Sequence, residues 1–264
     1  MSTESTTPPV RGVVLSPVLL LVPHIALVTV VLLAWELAAR NGYVDPTFVG
    51  QPTGIGQFLW SNMVLSHKLW IELGWTLLGT FVSFVLGSIA AILTGLLFVS
   101  MPRLERFMDP YLTAFNAMPR IALAPLFILW FGLGVASKIA IGFSLAFFIV
   151  LSSTVAGMRS LNQDHVTLTK TLGASSWQMF SQVTLPSAVP VIFSGLRLGL
   201  IYAMLGVVGG EIIAAEHGLG QTLAYLGSTF NMNGVMALLL VLSLLGMSVT
   251  WSMTAIERRL LRWQ

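Results

Sequence analysis

Apolar residues run along this chain in six long blocks, at 13–39, 75–101, 110–131, 137–158, 188–214 and 235–256. A helix needs about 20 apolar residues to cross the hydrocarbon core of a bilayer, and every block reaches that length. The pattern therefore predicts an all-α integral membrane protein with six transmembrane helices. Pro17 and Pro23 in the first block, and Pro119 and Pro125 in the third, predict kinks. Proline removes a backbone donor and crowds the preceding turn.

Small residues recur every four positions in the second block, at Gly79, Ser83, Gly87, Ala91 and Gly95, and the fifth block carries Gly195, Gly199, Ala203, Gly206 and Gly210. Such a stripe occupies one helix face and lets a neighbouring backbone approach closely. The connection at 41–74 is long and rich in Gly and Pro, and its second half predicts a surface helix. Phe58, Leu59, Trp60, Leu69, Trp70 and Trp75 read there as anchors at headgroup depth.

Between the fourth and fifth blocks, Arg159 to Pro190 is too polar to span and too apolar to be disordered. Leu161, Val166, Leu168 and Leu172 mark one side of a short helix that Gly173 would end in a left-handed cap. Ser175 followed by Gln178 has the spacing of a capping box, predicting a second short helix through Trp177, Phe180 and Val183 that stops at Leu185–Pro186. Two helices at a glycine turn also suggest a DNA-binding helix-turn-helix. The segment holds only Arg159 and Lys170 against Asp164, far too few cations for phosphate contacts. A cytoplasmic docking knob at about 159–187 fits better.

Composition agrees with the pattern: 56% of the 264 residues are hydrophobic and 9% charged, against about 25% charged in soluble domains. Cysteine is absent, which excludes disulfides, thiolate metal sites and cysteine nucleophiles. The polar opening segment predicts a disordered cytoplasmic tail at 1–12, and the apolar run behind it is too long for a signal-peptide core. The remainder, 13–264, reads as one membrane domain. With six spans both termini share a side, and that side would hold Arg11, Arg103, Arg106, Arg159, Lys170, Arg258, Arg259 and Arg262. The other side would hold Arg40, Lys68 and Lys138. The excess of cations predicts that both termini are cytoplasmic.

The docking segment GASSWQMFSQVTLPSAVP at 173–190 resembles the loop that ABC importer permeases present to their ATPase subunits. The family pattern matches at Gly173, Phe180, Leu185, Pro186 and Pro190, while its Glu-Ala-Ala positions hold Thr167, Leu168 and Thr169. MPRIALAPLFILWFGLG at 118–134, SGLRLGL at 194–200 and Glu211 are similar to permeases of the nitrate, sulfonate and taurine family, and the resemblance covers roughly 30–260. It implies a type I ABC importer permease fold in a bacterial inner membrane. A second copy of the chain, two ABC ATPase subunits that bind ATP and Mg, and an extracytoplasmic solute-binding protein would be its partners. This chain would carry no cofactor. The transported solute would be small, an organic or inorganic anion such as a sulfonate, nitrate or an aromatic carboxylate. Within the coupling loop the resemblance points to Asp164, Thr167, Leu168, Gly173, Ser175, Phe180, Leu185, Pro186 and Pro190.

Charged groups inside spans are costly and mark candidate function. Glu36, Arg120, Arg197 and Glu211 fall there, and Arg197 and Glu211 lie fourteen residues apart on one helix, about 21 Å, too far to pair. Met118, Arg120, Trp130, Arg197 and Glu211 are the candidates for pathway or gate, with packing or a structural hydrogen bond as the alternative for each. Catalysis finds no support. There is no Gly-x-x-x-x-Gly-Lys-Ser/Thr and no His-Glu-x-x-His, and His24, His67, His165 and His217 are scattered without metal spacing. Ser144 in GFSLA would need a base on a neighbouring helix, and spans two to six contain no histidine. The other transport reading is a secondary transporter driven by an ion gradient through Glu211. Such folds usually carry matched broken helices in two halves, and none is evident.

Overall fold

A computed structural model describes residues 17–161 and 163–260. The predicted tail at 1–12, with Arg11, and also Arg262 lie outside the described residues. The elements are α1 (Pro17–Arg40), α2 (Pro46–Val49), α3 (Pro52–Leu59), α4 (Lys68–Ser100), α5 (Pro102–Ala117), α6 (Ala124–Phe131), α7 (Val135–Arg159), α8 (Gln163–Thr171), α9 (Ser176–Met179), α10 (Leu185–Ile213), α11 (Leu219–Ser228) and α12 (Met232–Leu260). No strand occurs among the described residues.

Five helices are long and apolar enough to cross a membrane, and a bent pair supplies a sixth span if it is counted as one. That pair is the predicted third span, and it is broken rather than kinked. α5 and the segment Arg120–Phe131 meet at 85°. Met118 is extended (φ −70°, ψ 133°) because the ring of Pro119 excludes its helical conformation, and the chain resumes as a 3-10 turn over Arg120–Leu123.

The opposite outcome is found at Leu185–Pro186, which was expected to end the second short helix. Helix runs on from Ser176 to Ile213, through a π-turn at Phe180–Thr184, and Pro186 falls in the first turn of α10. A proline there lacks only an N–H that the wider π-turn can leave unpaired.

The small-residue stripes explain the packing. α7 lies between α4 and α10; Gly87 and Gly95 of the first stripe and Gly195, Gly199, Gly206 and Gly210 of the second face it, while Gly79 meets Val207 of α10. Gly79, Ser83, Gly87, Ala91 and Gly95 are buried, as are Gly195, Gly199, Ala203, Gly206 and Gly210. A methyl group on Gly87 would come within 3.1 Å of Ala146 Cβ, and one on Gly199 within 2.7 Å of Val150 Cγ2. Only hydrogen at these positions permits the approach. α12 closes the other side of α10, with Leu238, Val241, Leu245, Val249 and Met253 against Leu200 and Met204. Leu69 joins this core at 2% exposure, so it is not the headgroup anchor expected of it, whereas Trp60 and Trp70 are exposed. Phe58 packs against the same core and Trp75 stacks on His217. α1 is almost unpacked and meets the body near its end, where Trp35 Nε1 donates to Gly50 O at 3.2 Å.

Candidate functional site

The segment after α7 builds a projecting knob from two local motifs. α8 ends in Gly173 at φ +78°, where Gly173 N–H donates to Lys170 O at 3.0 Å and Ala174 N–H to Thr169 O at 3.2 Å. These two bonds make a Schellman cap, which needs a residue tolerant of left-handed backbone. Ser175 then caps α9 in a complete box: Gln178 N–H donates to Ser175 Oγ at 3.3 Å, and Ser175 N–H to Gln178 Oε1 at 2.8 Å. The knob presents Leu168, Leu172 and Trp177 to the outside, the last two at 78% and 72% exposure. Asp164 and Thr167 are exposed on the same short helix. Phe180 and Leu185 turn inward against Met158, Ala188 and Ile192, anchoring the knob to the bundle. Pro190 lies inside α10 without ending it.

The candidate gate residues do not gather in one place. Among the described residues none of the five hydrogen-bonds or ion-pairs with another. Met118 and Trp130 are exposed around the break, and Trp130 packs edge-on to Phe127 at 6.1 Å. Arg120 is 8% exposed, donates to Asn116 Oδ1 at 2.6 Å and lies 4.2 Å from the ring centre of Phe148. Its guanidinium thus ties α5 to α7 across the broken span. A groove of about 360 Å³ lies beside it, bounded by Asn116, Phe148, Ser152 and the ion pair of Glu105 with Arg159. Arg197 pairs with Glu257 of α12.

Glu211 is 1% exposed and enclosed by its own chain. Its carboxylate accepts from Lys138 Nζ at 3.0 Å, from Thr76 Oγ1 at 2.9 Å and from Gly220 N–H at 3.0 Å. Lys138, expected in an outer loop, is 2% exposed and faces inward. The pair is hidden in the sequence because Lys138, at the edge of its apolar block, reads as a loop cation. A signal existed: Lys138 lies near the start of α7 and Glu211 near the end of α10, the same end of the bundle. Among the described residues no three His, Cys, Asp or Glu side chains gather to hold a metal.

The chain belongs to the family described as the binding-protein-dependent transport system inner membrane component, which residues 83–262 match. It is 34% identical over 234 residues to the formylaminopyrimidine transport permease protein ThiX of Halalkalibacterium halodurans, covering 87% of this chain and 91% of that one. It is 30% identical to the putative aliphatic sulfonates transport permease protein SsuC of Bacillus subtilis, over 89% of this chain and 85% of that one. The taurine transport system permease protein TauC of Escherichia coli is 28% identical, over 90% of this chain and 88% of its own. The fold resembles a chain of the inward-facing MetNI methionine ABC transporter, with a TM-score of 0.64 at 22% identity over 75% of this chain and 97% of that chain. The protein is therefore a multi-pass inner-membrane permease subunit of an ABC importer with a type I fold. It is not an enzyme: ATP hydrolysis belongs to a separate subunit.

Proposed function

We propose that two copies of this chain enclose a solute pathway and receive work from two ABC ATPase subunits, which bind ATP and Mg and dock on the knob at 163–184. Both termini and the knob are cytoplasmic, and an extracytoplasmic binding protein delivers the solute. The observation that carries this reading is continuity: the exposed knob leads without a break into the 38-residue helix Ser176–Ile213. A push on Trp177 is thus delivered along a single rod to the bundle interior, and the work of the chain is mechanical coupling. Thr167, Leu168 and Thr169 make the first short helix of the contact less charged than the family pattern, so packing of Leu168, Leu172 and Trp177 supplies the grip.

The solute is a small organic molecule. Two classes have support, an anion such as a sulfonate or an aromatic carboxylate, and a nitrogen heterocycle. Relatives named for sulfonates and taurine favour the first, and the relative named for formylaminopyrimidine, at 34% identity, favours the second. Uptake of radiolabelled taurine, an alkanesulfonate, benzoate and formylaminopyrimidine by cells with and without the gene separates them. Uptake that stops on ATP depletion and survives an uncoupler supports the importer. The reverse pattern supports a gradient-driven carrier, for which Glu211 is poorly placed because Lys138 already neutralises it.

A further inference from the structure

The outer ends of three spans meet at Glu211 in a cluster that uses nearly every hydrogen-bonding group it contains. Thr76 Oγ1 of α4 donates to the carboxylate and accepts Leu219 N–H at 2.9 Å. Lys138 Nζ of α7 donates to Glu211 Oε1 of α10 at 3.0 Å and to His217 O at 2.8 Å. The first turn of α11 gives Gly220 N–H to Oε2 at 3.0 Å. Four helices are joined by these five bonds.

A second ring holds the connecting loop at 214–218. Glu72 Oε2 accepts Gly218 N–H at 2.5 Å, and Glu72 Oε1 lies 3.6 Å from His217 Nδ1. The His217 imidazole stacks on Trp75, with ring centres 5.4 Å apart. Gly218 adopts φ +123°, and a side chain there would overlap the Glu211 carboxylate. Separating any one of these elements would strand a charge or a backbone donor in a buried site, and such groups are costly without partners. A structure in which each opening is penalised this heavily stays shut while weaker contacts elsewhere give way.

We propose that Lys138 and Glu211 are positioning residues of the transport cycle: they clasp the outer ends of α4, α7 and α10 to the first turn of α11. These elements and the loop at 214–218 then move as one rigid body, and relative motion falls to the broken third span formed by α5 and α6. The proposal rests on the importer reading.

The test uses the assembled permease–ATPase complex in lipid nanodiscs, with ATP as the probe. The chain has no cysteine, so introduced thiols are unique within it. In a Glu72→Cys/His217→Cys variant, bridging the two thiols with a short bifunctional reagent is expected to leave ATP turnover within twofold of the same complex unbridged. A tenfold loss on bridging, reversed by reduction, means that the loop must part from α4 and overturns the proposal. The second measurement follows maleimide labelling of Ala215→Cys, half-buried on the loop, per assembled complex. With the native pair, labelling is expected to be equal in nucleotide-free and ATP–vanadate states. In the charge-neutral background Lys138→Met/Glu211→Gln it is expected to rise at least tenfold or become nucleotide-dependent. Labelling unchanged in that background shows that the pair does not hold the loop, and overturns the proposal. Absence of any ATPase subunit in the preparation would instead refute the importer reading.

Discussion

Substituting alanine for Gly142 probes a point where three helices of the bundle pack closely. A Cβ at this position would lie 2.6 Å from Ser83 Oγ, 2.8 Å from Ser83 Cβ and 3.0 Å from Ala203 O. The residue sits where α7 is pinched between α4 and α10, so neither neighbour can retreat without moving a helix. Ser83 is itself held by its bond to Ile139 O at 3.1 Å, and Ala203 O belongs to helix backbone. Overpacking of this kind costs about 1–3 kcal/mol. At roughly 2–4 °C per kcal/mol for a chain near this size, the loss is about 2–12 °C in Tm. The assay is thermal unfolding of the purified protein in one detergent at one scan rate. Gly56→Ala is the matched control, because nothing lies within 4 Å of its Cβ position. An unchanged Tm for Gly142→Ala, or an equal fall in both variants, would refute the packing argument.

Two further outcomes follow from local geometry. Gly173→Val places a branched residue at φ +78°, a conformation costing about 1–2 kcal/mol for an L-residue; the permease is expected to reach the membrane but to lose ATPase subunits during purification, and full retention would contradict the docking role. Outside the membrane-spanning helices, Thr47 N–H donates to Asp45 at 2.8 Å and holds its carboxyl below the usual value. A depressed native value means that the cap's contribution is complete above the unfolded value of 3.8 and disappears as pH falls through the native one. Cleavage of the 45–50 turn by an acid protease should therefore increase at the lowest pH, and Asp45→Asn, which keeps the cap, should flatten that response.

Much of this architecture was legible because the bilayer admits few solutions. Apolar block length identified the spans, and the four-residue spacing of small side chains identified the faces that α4 and α10 turn to α7. The knob was legible from two local rules, a glycine for the left-handed cap and a Ser-x-x-Gln box. Contacts between distant segments were not. Whether Pro119 breaks a helix while Pro186 is carried within one depends on what lies around each ring, and a π-turn that accommodates Pro186 leaves no mark in the hydrophobic pattern. The burial of Lys138 depends on Glu211, and the pairing of Arg197 depends on Glu257, 60 residues further on. Leu69 looked like an anchor beside Trp70 because its packing against the core through the α3–α4 region is a tertiary fact.

The central claim is that this chain is one part of a machine whose motor is another chain. Purifying the tagged permease gently from the membranes of its native host and weighing the intact assembly by native mass spectrometry tests that claim most directly. The expected mass equals two permeases and two ATPase subunits. A permease recovered without ATPase chains, from a preparation in which other membrane complexes stay intact, would contradict it.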